Sequence, residues 1–197
     1  MPSPSYNYGR ALRARMLVGL LMLVTIACGQ TSGVEESDSP GSDTQSGDTS
    51  NVLLPSWNDS NSGLEWTNHK EPQRLNYPDA QDYCQQLEPG DWRLPTIDEA
   101  RTLLVGCPET LFDGLCNVSL EECLGKACRN DECDGCQLLE GPSNGYYAPG
   151  DLQVQEDWYW TASMVSDYDR SVWIIRHTIA AISTSKTESE RAVRCVR

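Results

Sequence analysis

Six cysteines lie within thirty residues of this sequence, and this cluster constrains the fold more than any other feature. The cluster has few aliphatic residues, so covalent bridges are expected to replace a hydrophobic core there. The cysteines of this segment are Cys107, Cys116, Cys123, Cys128, Cys133 and Cys136. Six cysteines allow 15 pairings, and their spacing does not choose among them. The same residues suit metal sites in a reducing compartment and disulfides in an exported protein, so the N-terminus decides between the two.

The N-terminus has the features of an export signal. Three arginines precede the twelve-residue apolar run Met16–Ala27, which is too short for a stable membrane span and suits a signal peptide over residues 1–27. The run ends in Thr25-Ile26-Ala27-Cys28. This tetrapeptide resembles the lipobox of bacterial lipoproteins, although Thr25 stands where leucine is preferred. The resemblance implies that Cys28 carries palmitate and, with Gly29 after it, that the chain is anchored in the outer membrane. The alternative is ordinary cleavage near Ala27 that leaves Cys28 free.

Lipidation of Cys28 would leave eight cysteines, an even number that an oxidised domain can pair completely. Residues 28–51 then form the lipidated cysteine and a disordered, acidic Ser/Gly/Asp tether, because this stretch has too few apolar residues to bury surface. Residues 52–197 hold all six tryptophans and are predicted to form one folded domain.

The charge of the chain excludes several partners. The formal net charge is -14, and residues 52–197 carry 24 acidic against 12 basic side chains. A surface this negative repels phosphate backbones, so we expect no nucleic-acid binding. Membrane contact is therefore expected through the lipid anchor and not through a basic patch. Two histidines in the whole chain disfavour a histidine-based metal site or catalytic triad.

The domain is predicted to have an α+β fold, with two helices followed by an antiparallel sheet. Asn76 and Thr96 have the positions of N-caps, and an apolar stripe follows each of them. Strands are predicted at residues 64–67, 158–161, 171–177, 180–184 and 192–196, with a turn at 167–170. The C-terminal strand is expected to close the sheet.

Four segments of this domain carry a family resemblance. They are GLEWT from Gly63, GDWRLPTIDEARTLL from Gly90 after a YC helix, YWTAS from Tyr159 and the terminal AVRCVR. These segments resemble the Lcl C-terminal domain family, a branch of the C-type-lectin-like fold found in bacterial surface proteins, including a collagen-like adhesin that binds glycosaminoglycans. The resemblance implies a Cys84–Cys195 disulfide and three local bridges within an insertion at residues 107–136. It also implies that this loop region is where lectin relatives place their ligand site.

Candidate ligand contacts come from aromatic residues. Tyr146 and Tyr147 lie in a turn-rich loop and are predicted to be exposed, whereas Trp158 and Trp160 share one face of a strand and suit either sugar stacking or the core. Cys133 and Cys136 form a CxxC motif. Such a motif suits structural disulfides, a redox pair or half of a metal site.

The motifs for cation binding are weak. Carboxylates of the insertion favour either a calcium site or a solvated loop, but the EF-hand register is absent, so no metal ligands are assigned. Trp57-Asn58-Asp59 spells a triplet used by lectins, but it is predicted to lie before the first strand and is taken as coincidence.

The sequence favours a non-catalytic cell-envelope lipoprotein, a surface binding or adhesion module that recognises a glycan or a protein. The alternatives are a structural envelope interaction protein without a small ligand and a cryptic enzyme of the formylglycine-generating type. No P-loop, HExxH or triad pattern appears, so no catalytic residues or cofactors are predicted beyond the calcium considered above. Sulfated glycans are not expected as ligands because of the acidic field, although five C-terminal arginines from Arg170 to Arg197 leave room for a basic patch.

Overall fold

Two helices and two sheets make up the domain in the computed structural model, which describes residues 54–197. The predicted signal peptide, Cys28 and the tether lie outside the described residues. The elements in chain order are β1 (Ser56–Asn58), β2 (Glu65–Thr67), β3 (Arg74–Leu75), α1 (Tyr77–Gln85), α2 (Ile97–Thr102), the 3₁₀ turns Lys126–Cys128 and Asp131–Asp134, β4 (Trp158–Met164), β5 (Ser171–Arg176), β6 (Ala181–Lys186) and β7 (Arg191–Ala192). None of the helices in this part of the chain is long and apolar enough to cross a membrane.

Both helices begin at the predicted caps. The Asn76 side chain accepts a hydrogen bond from the Asp79 N–H at 3.1 Å, and α1 follows with Pro78 in its first turn. At α2, Thr96 and Glu99 form a reciprocal capping box. Local sequence therefore fixes where each helix starts, and the buried face of each helix packs it against the sheet.

The larger sheet has five strands in the order β3-β7-β4-β5-β6. β5 is antiparallel to both β4 and β6, and a turn at residues 166–170 joins β4 to β5 as predicted. The sheet is antiparallel, as predicted, except at one pairing, where Ala192 of β7 pairs with Tyr159 of β4 in the parallel sense. β7 therefore runs in the direction that β4 and β6 share, and residues 187–190 do not form a hairpin between β6 and β7.

The smaller sheet corrects a second expectation. Trp57 lies within β1 and pairs with Trp66 of β2, so the Trp57-Asn58-Asp59 triplet does not precede the first strand. The β1 strand has only three residues, too few for its alternation to be recognised in the sequence. The predicted C-terminal strand is also shorter than expected, because β7 ends at Ala192. Beyond it, Val196 forms isolated β-bridges with Trp66 and Arg93.

A disulfide joins α1 to the C-terminus. Cys84 and Cys195 are bonded as the resemblance implied, with Cα atoms 5.6 Å apart across 111 residues of sequence. Both residues are fully buried, in a cluster with Trp160 and Ile174 of the sheet. The bridge therefore locks the two ends of the domain at its main core. With two helices, two sheets and four disulfides, the domain has the disulfide-rich α+β fold that the sequence predicts.

Candidate functional site

The cysteine-rich segment, residues 107–136, is closed by three disulfides. The pairs are Cys107–Cys136, Cys116–Cys133 and Cys123–Cys128. Cys133 and Cys136 of the CxxC are therefore bonded to different partners and do not form a redox pair with each other. Gly135 between them has a φ of +81°, and a Cβ there would lie 2.0 Å from the Ile179 carbonyl oxygen. Only glycine permits this close approach between the segment and the turn after β5.

Arg101 of α2 ties this segment to the domain. Its side chain is 1% exposed, and its Nε and Nη1 donate to the carbonyls of Thr110 and Val118 at 3.2 and 2.6 Å. Nη2 donates to the carbonyl of Leu111. Burial lowers the pKa of the guanidinium, and the charges of Asp98 and Asp113 oppose that shift. A single arginine thus donates to three backbone carbonyls of the segment, and for those of Thr110 and Val118 it is the one hydrogen-bond donor among the described residues.

Further contacts fix the segment against the sheet. The indole Nε1 of Trp173 donates to the Leu124 carbonyl at 3.0 Å, and the Cys136 N–H donates to the Ile179 carbonyl at 2.7 Å. Cys116, Cys128 and Cys133 pack with Trp173 and with Ile182 of β6. The segment is therefore a rigid part of the domain, although it has little regular secondary structure.

A cavity of about 290 Å³ opens between α2 and the cysteine-rich segment. Four carboxylates line it, from Asp98 on α2 and from three residues of the segment, with Arg101 and Phe112 also in its wall. The three segment carboxylates are Asp113, Glu121 and Glu122. We refer to this feature as the acidic cavity.

Asp98 is the carboxylate of the acidic cavity with the most constrained surroundings. Its Oδ2 accepts a hydrogen bond from the Leu120 N–H at 3.0 Å, whereas its buried Oδ1 has no partner among the described residues. Burial raises the pKa of Asp98, and the nearby Glu121 and Glu99 charges raise it further, against the opposing effects of the Leu120 N–H and Arg101. The cavity thus holds negative charge that its own side chains compensate only in part.

Exposed apolar side chains concentrate on and just after the same segment. Of the seven large apolar side chains that are well exposed in residues 54–197, five lie between Cys107 and Leu139. They are Phe112, Leu115, Leu120, Leu138 and Leu139, with exposed fractions of 46–67%. Large exposed apolar side chains that are concentrated in one segment favour an interaction surface there.

Of the four aromatic residues predicted to contact a ligand, two are buried and two are half-buried. Tyr147 is only 3% exposed, and its hydroxyl donates to the Gln137 carbonyl at 2.9 Å, so the prediction that it is exposed is wrong. The Tyr147 N–H donates to the His177 carbonyl in the turn after β5, and the Tyr147 side chain packs with Tyr159 and Ile175 of the sheet. Trp160 is fully buried in the core, whereas Tyr146 and Trp158 are half-buried. These four residues do not form one exposed aromatic surface.

One group of side chains places three metal-ligating atoms within 4.8 Å of one another. It consists of Cys107, Glu109 and Cys136. The two sulfurs are joined in a disulfide and cannot act as thiolate ligands, so Glu109 remains as the one free donor of this group. These residues do not fit a zinc site while the bridge is intact.

Both histidines of the chain lie near Arg194. His177 is buried, its ring centroid is 5.5 Å from that of Tyr159, and its Nδ1 has no partner among the described residues. Burial lowers the pKa of His177 to about 3, and the Arg194 charge contributes. Arg194 itself is buried and donates to the Thr67 carbonyl at 3.1 Å. It therefore cannot join a basic surface patch with the other C-terminal arginines, as the sequence had allowed.

The sequence offered signals for this site that did not enter the prediction. Phe112 is the one phenylalanine of the chain, placed in a polar, cysteine-rich stretch. Arg101 follows Ile97 by one helical turn and so falls on the apolar stripe of α2. A charged residue at a buried helix position indicates a partner of fixed geometry.

The comparison with known families covers nearly all of the described residues. The family model of the Lcl C-terminal domain matches residues 56–197. No curated protein matches this chain.

Proposed function

The chain belongs to the Lcl C-terminal domain family, and on that premise we propose that it is a non-catalytic binding module of a cell-envelope lipoprotein. The observation that carries the proposal is the concentration of exposed apolar side chains on and beside the disulfide-closed segment. Exposure of these apolar side chains to water is unfavourable and promotes aggregation. Burial of the same side chains against a partner would remove both effects. A rigid segment also loses little conformational entropy on binding.

A protein is the partner that the exposed surface suits best. Leucine and phenylalanine side chains bury well against other proteins, whereas sugar rings are usually recognised by exposed aromatic faces and planar polar groups. Tyr147 and Trp160, two of the aromatic candidates for sugar contact, are buried. Adhesion to a partner protein on another surface or within the envelope is consistent with this surface, and a glycan ligand is the alternative.

The cysteines and histidines support a role without catalysis. All eight cysteines from residue 54 onward are bonded, so this part of the chain offers no thiol of the kind a formylglycine-generating enzyme needs. His177 is buried and neutral at physiological pH because its pKa is lowered to about 3.

Two measurements separate a protein partner from a glycan. The oxidised full-length protein is screened on a glycan array in calcium and again in chelator, and cells that carry it are crosslinked in parallel. We expect one recurrent protein adduct and no saturable sugar. Saturable binding to a defined sugar without a protein adduct would contradict a protein partner, and loss of that binding in chelator would assign it to calcium.

The envelope location has its own test. We propose that Cys28 is lipidated and anchors the chain in the outer membrane. Labelling with a palmitate analogue and membrane fractionation of wild type and Cys28→Ser should show label and membrane association only for wild type. A wild-type protein without label, found in the soluble fraction, would contradict this assignment.

A further inference from the structure

The acidic cavity carries an excess of negative charge that the domain does not neutralise. Four carboxylates line it, and the one positive side chain in its wall, Arg101, directs three of its donor atoms at backbone carbonyls of the cysteine-rich segment. The remainder of the domain adds to the same field, with 24 acidic against 12 basic side chains in residues 52–197. A cationic group is therefore attracted both to the domain and to this cavity.

One carboxylate oxygen of Asp98, in the wall of the cavity, lacks a hydrogen-bond partner within residues 54–197. Its Oδ1 is buried and accepts no hydrogen bond from the described residues. A buried carboxylate oxygen without a donor is costly. A positively charged ligand in the cavity would relieve the repulsion between Asp98 and Glu121.

The exposed apolar side chains at and beside the acidic cavity favour an organic cation over a metal ion. Phe112 lines the cavity and is 56% exposed, while Leu115 and Leu120 adjoin lining residues in the sequence and are 67% and 50% exposed. A metal ion makes no use of such a rim. A lysine or arginine side chain does, because its methylene stem packs on apolar groups and its charged end interacts with an aromatic face.

We propose that the acidic cavity receives a lysine or arginine side chain of a partner protein, while Phe112, Leu115 and Leu120 contact apolar residues beside it. This inference rests on the proposed binding function and specifies its partner as a protein segment with a basic residue flanked by apolar ones. The carboxylates provide the charge complementarity that orients the partner, and the apolar rim provides the buried area.

The test uses the ¹⁵N-labelled full chain in lipid nanodiscs. The probes are n-butylammonium and n-butylguanidinium, which reproduce the two side chains, and calcium chloride is titrated separately. We expect both organic cations to shift the amide resonances of Leu120 and Glu121 saturably, and 0.5 M NaCl to weaken the binding. Glu121→Gln/Glu122→Gln should weaken it about fivefold, whereas Asp131→Asn/Glu140→Gln, with the same charge change elsewhere, should weaken it less than about twofold.

Equal weakening by both pairs of substitutions would overturn the proposal, because it would show attraction to the overall charge alone. Tighter saturable shifts of the same amides with calcium than with either organic cation would overturn it in favour of a metal site. The cellular crosslink is then compared between the two variants. An adduct that survives Glu121→Gln/Glu122→Gln unchanged overturns this inference alone, whereas the lack of any adduct in wild type overturns the proposed function.

Discussion

The guanidinium of Arg101 donates to the carbonyl oxygen of Val118 at 2.6 Å, across 17 residues of sequence. Together with the bonds to Thr110 and Leu111, this contact makes one helical side chain the internal anchor of the cysteine-rich segment. The disulfides close the segment upon itself, and Arg101 holds it on α2. These bonds fix the position of the segment, although it has almost no sheet or helix of its own.

Replacing Arg101 with methionine should lower the free energy of unfolding by about 3 kcal/mol, because the buried carbonyls of Thr110 and Val118 lose their donor. Urea denaturation with the disulfides intact measures the change. Arg101→Lys should recover only part of the loss, since an ammonium group cannot reproduce the planar fork. The matched control is Arg129→Met, which removes a solvent-accessible ion pair with Asp134 and should cost less than about 1 kcal/mol. Equal losses at the two positions would contradict the anchoring role.

The two ends of the domain should depend more on their disulfide than the local loops do on theirs. In the chain-entropy view, Cys84→Ala/Cys195→Ala, which opens a link across 111 residues, should cost about 5 kcal/mol. Cys123→Ala/Cys128→Ala, across 5 residues, should cost about 2 kcal/mol. Denaturant midpoints of the two variants give the comparison. A larger loss from the short bridge would show that native-state packing and not loop entropy sets the order.

Stability should fall as the pH is lowered from about 6.5, through the effect of His177. The pKa of this residue is lowered to about 3 in the folded state, so between the two values the unfolded chain binds a proton that the folded chain does not. The free energy of unfolding therefore rises with pH in this window, by up to about 1.4 kcal/mol per pH unit. His69 shifts in the same direction.

His177→Phe tests this assignment, because it keeps the ring contact with Tyr159 and removes the titrating group. Urea midpoints between pH 4.5 and 7 should vary clearly less with pH than those of wild type. An unchanged pH dependence in the variant would assign the effect to other groups.

Tyr147 should behave as a structural residue. Tyr147→Phe removes the hydrogen bond to the Gln137 carbonyl and should lower the free energy of unfolding by about 1 kcal/mol without changing the yield of the partner adduct. Tyr146→Phe is the control, since the Tyr146 hydroxyl makes no hydrogen bond with the described residues. Loss of the adduct in a Tyr147→Phe protein of normal stability would show that Tyr147 contributes to partner binding.

Local signals predicted the helices and most strands, because caps and alternation act over a few residues. Thr96 with Glu99 is an example in which the sequence spacing and the observed capping box agree. Non-local pairing was not predictable in this way: β1 has three residues, and the parallel contact of Ala192 with Tyr159 depends on how distant segments meet.

The candidate site was predicted less well for the same reason. The segment itself was identified by its cysteines, but their connectivity is a property of the folded chain. Tyr147 was expected to be exposed because turn-rich loops generally lie on the surface. Its backbone pairing with His177, thirty residues later in the sequence, draws the side chain inward.

The most direct test of the binding surface is site-specific photo-crosslinking of the full-length protein on living cells. A photoreactive amino acid is placed at Leu115, on the cysteine-rich segment, and in a second strain at Glu71, an exposed position in the β2–β3 loop. We expect a single protein adduct from position 115 and none from position 71. An adduct from position 71 with none from position 115 would show that the cysteine-rich segment is not the binding surface.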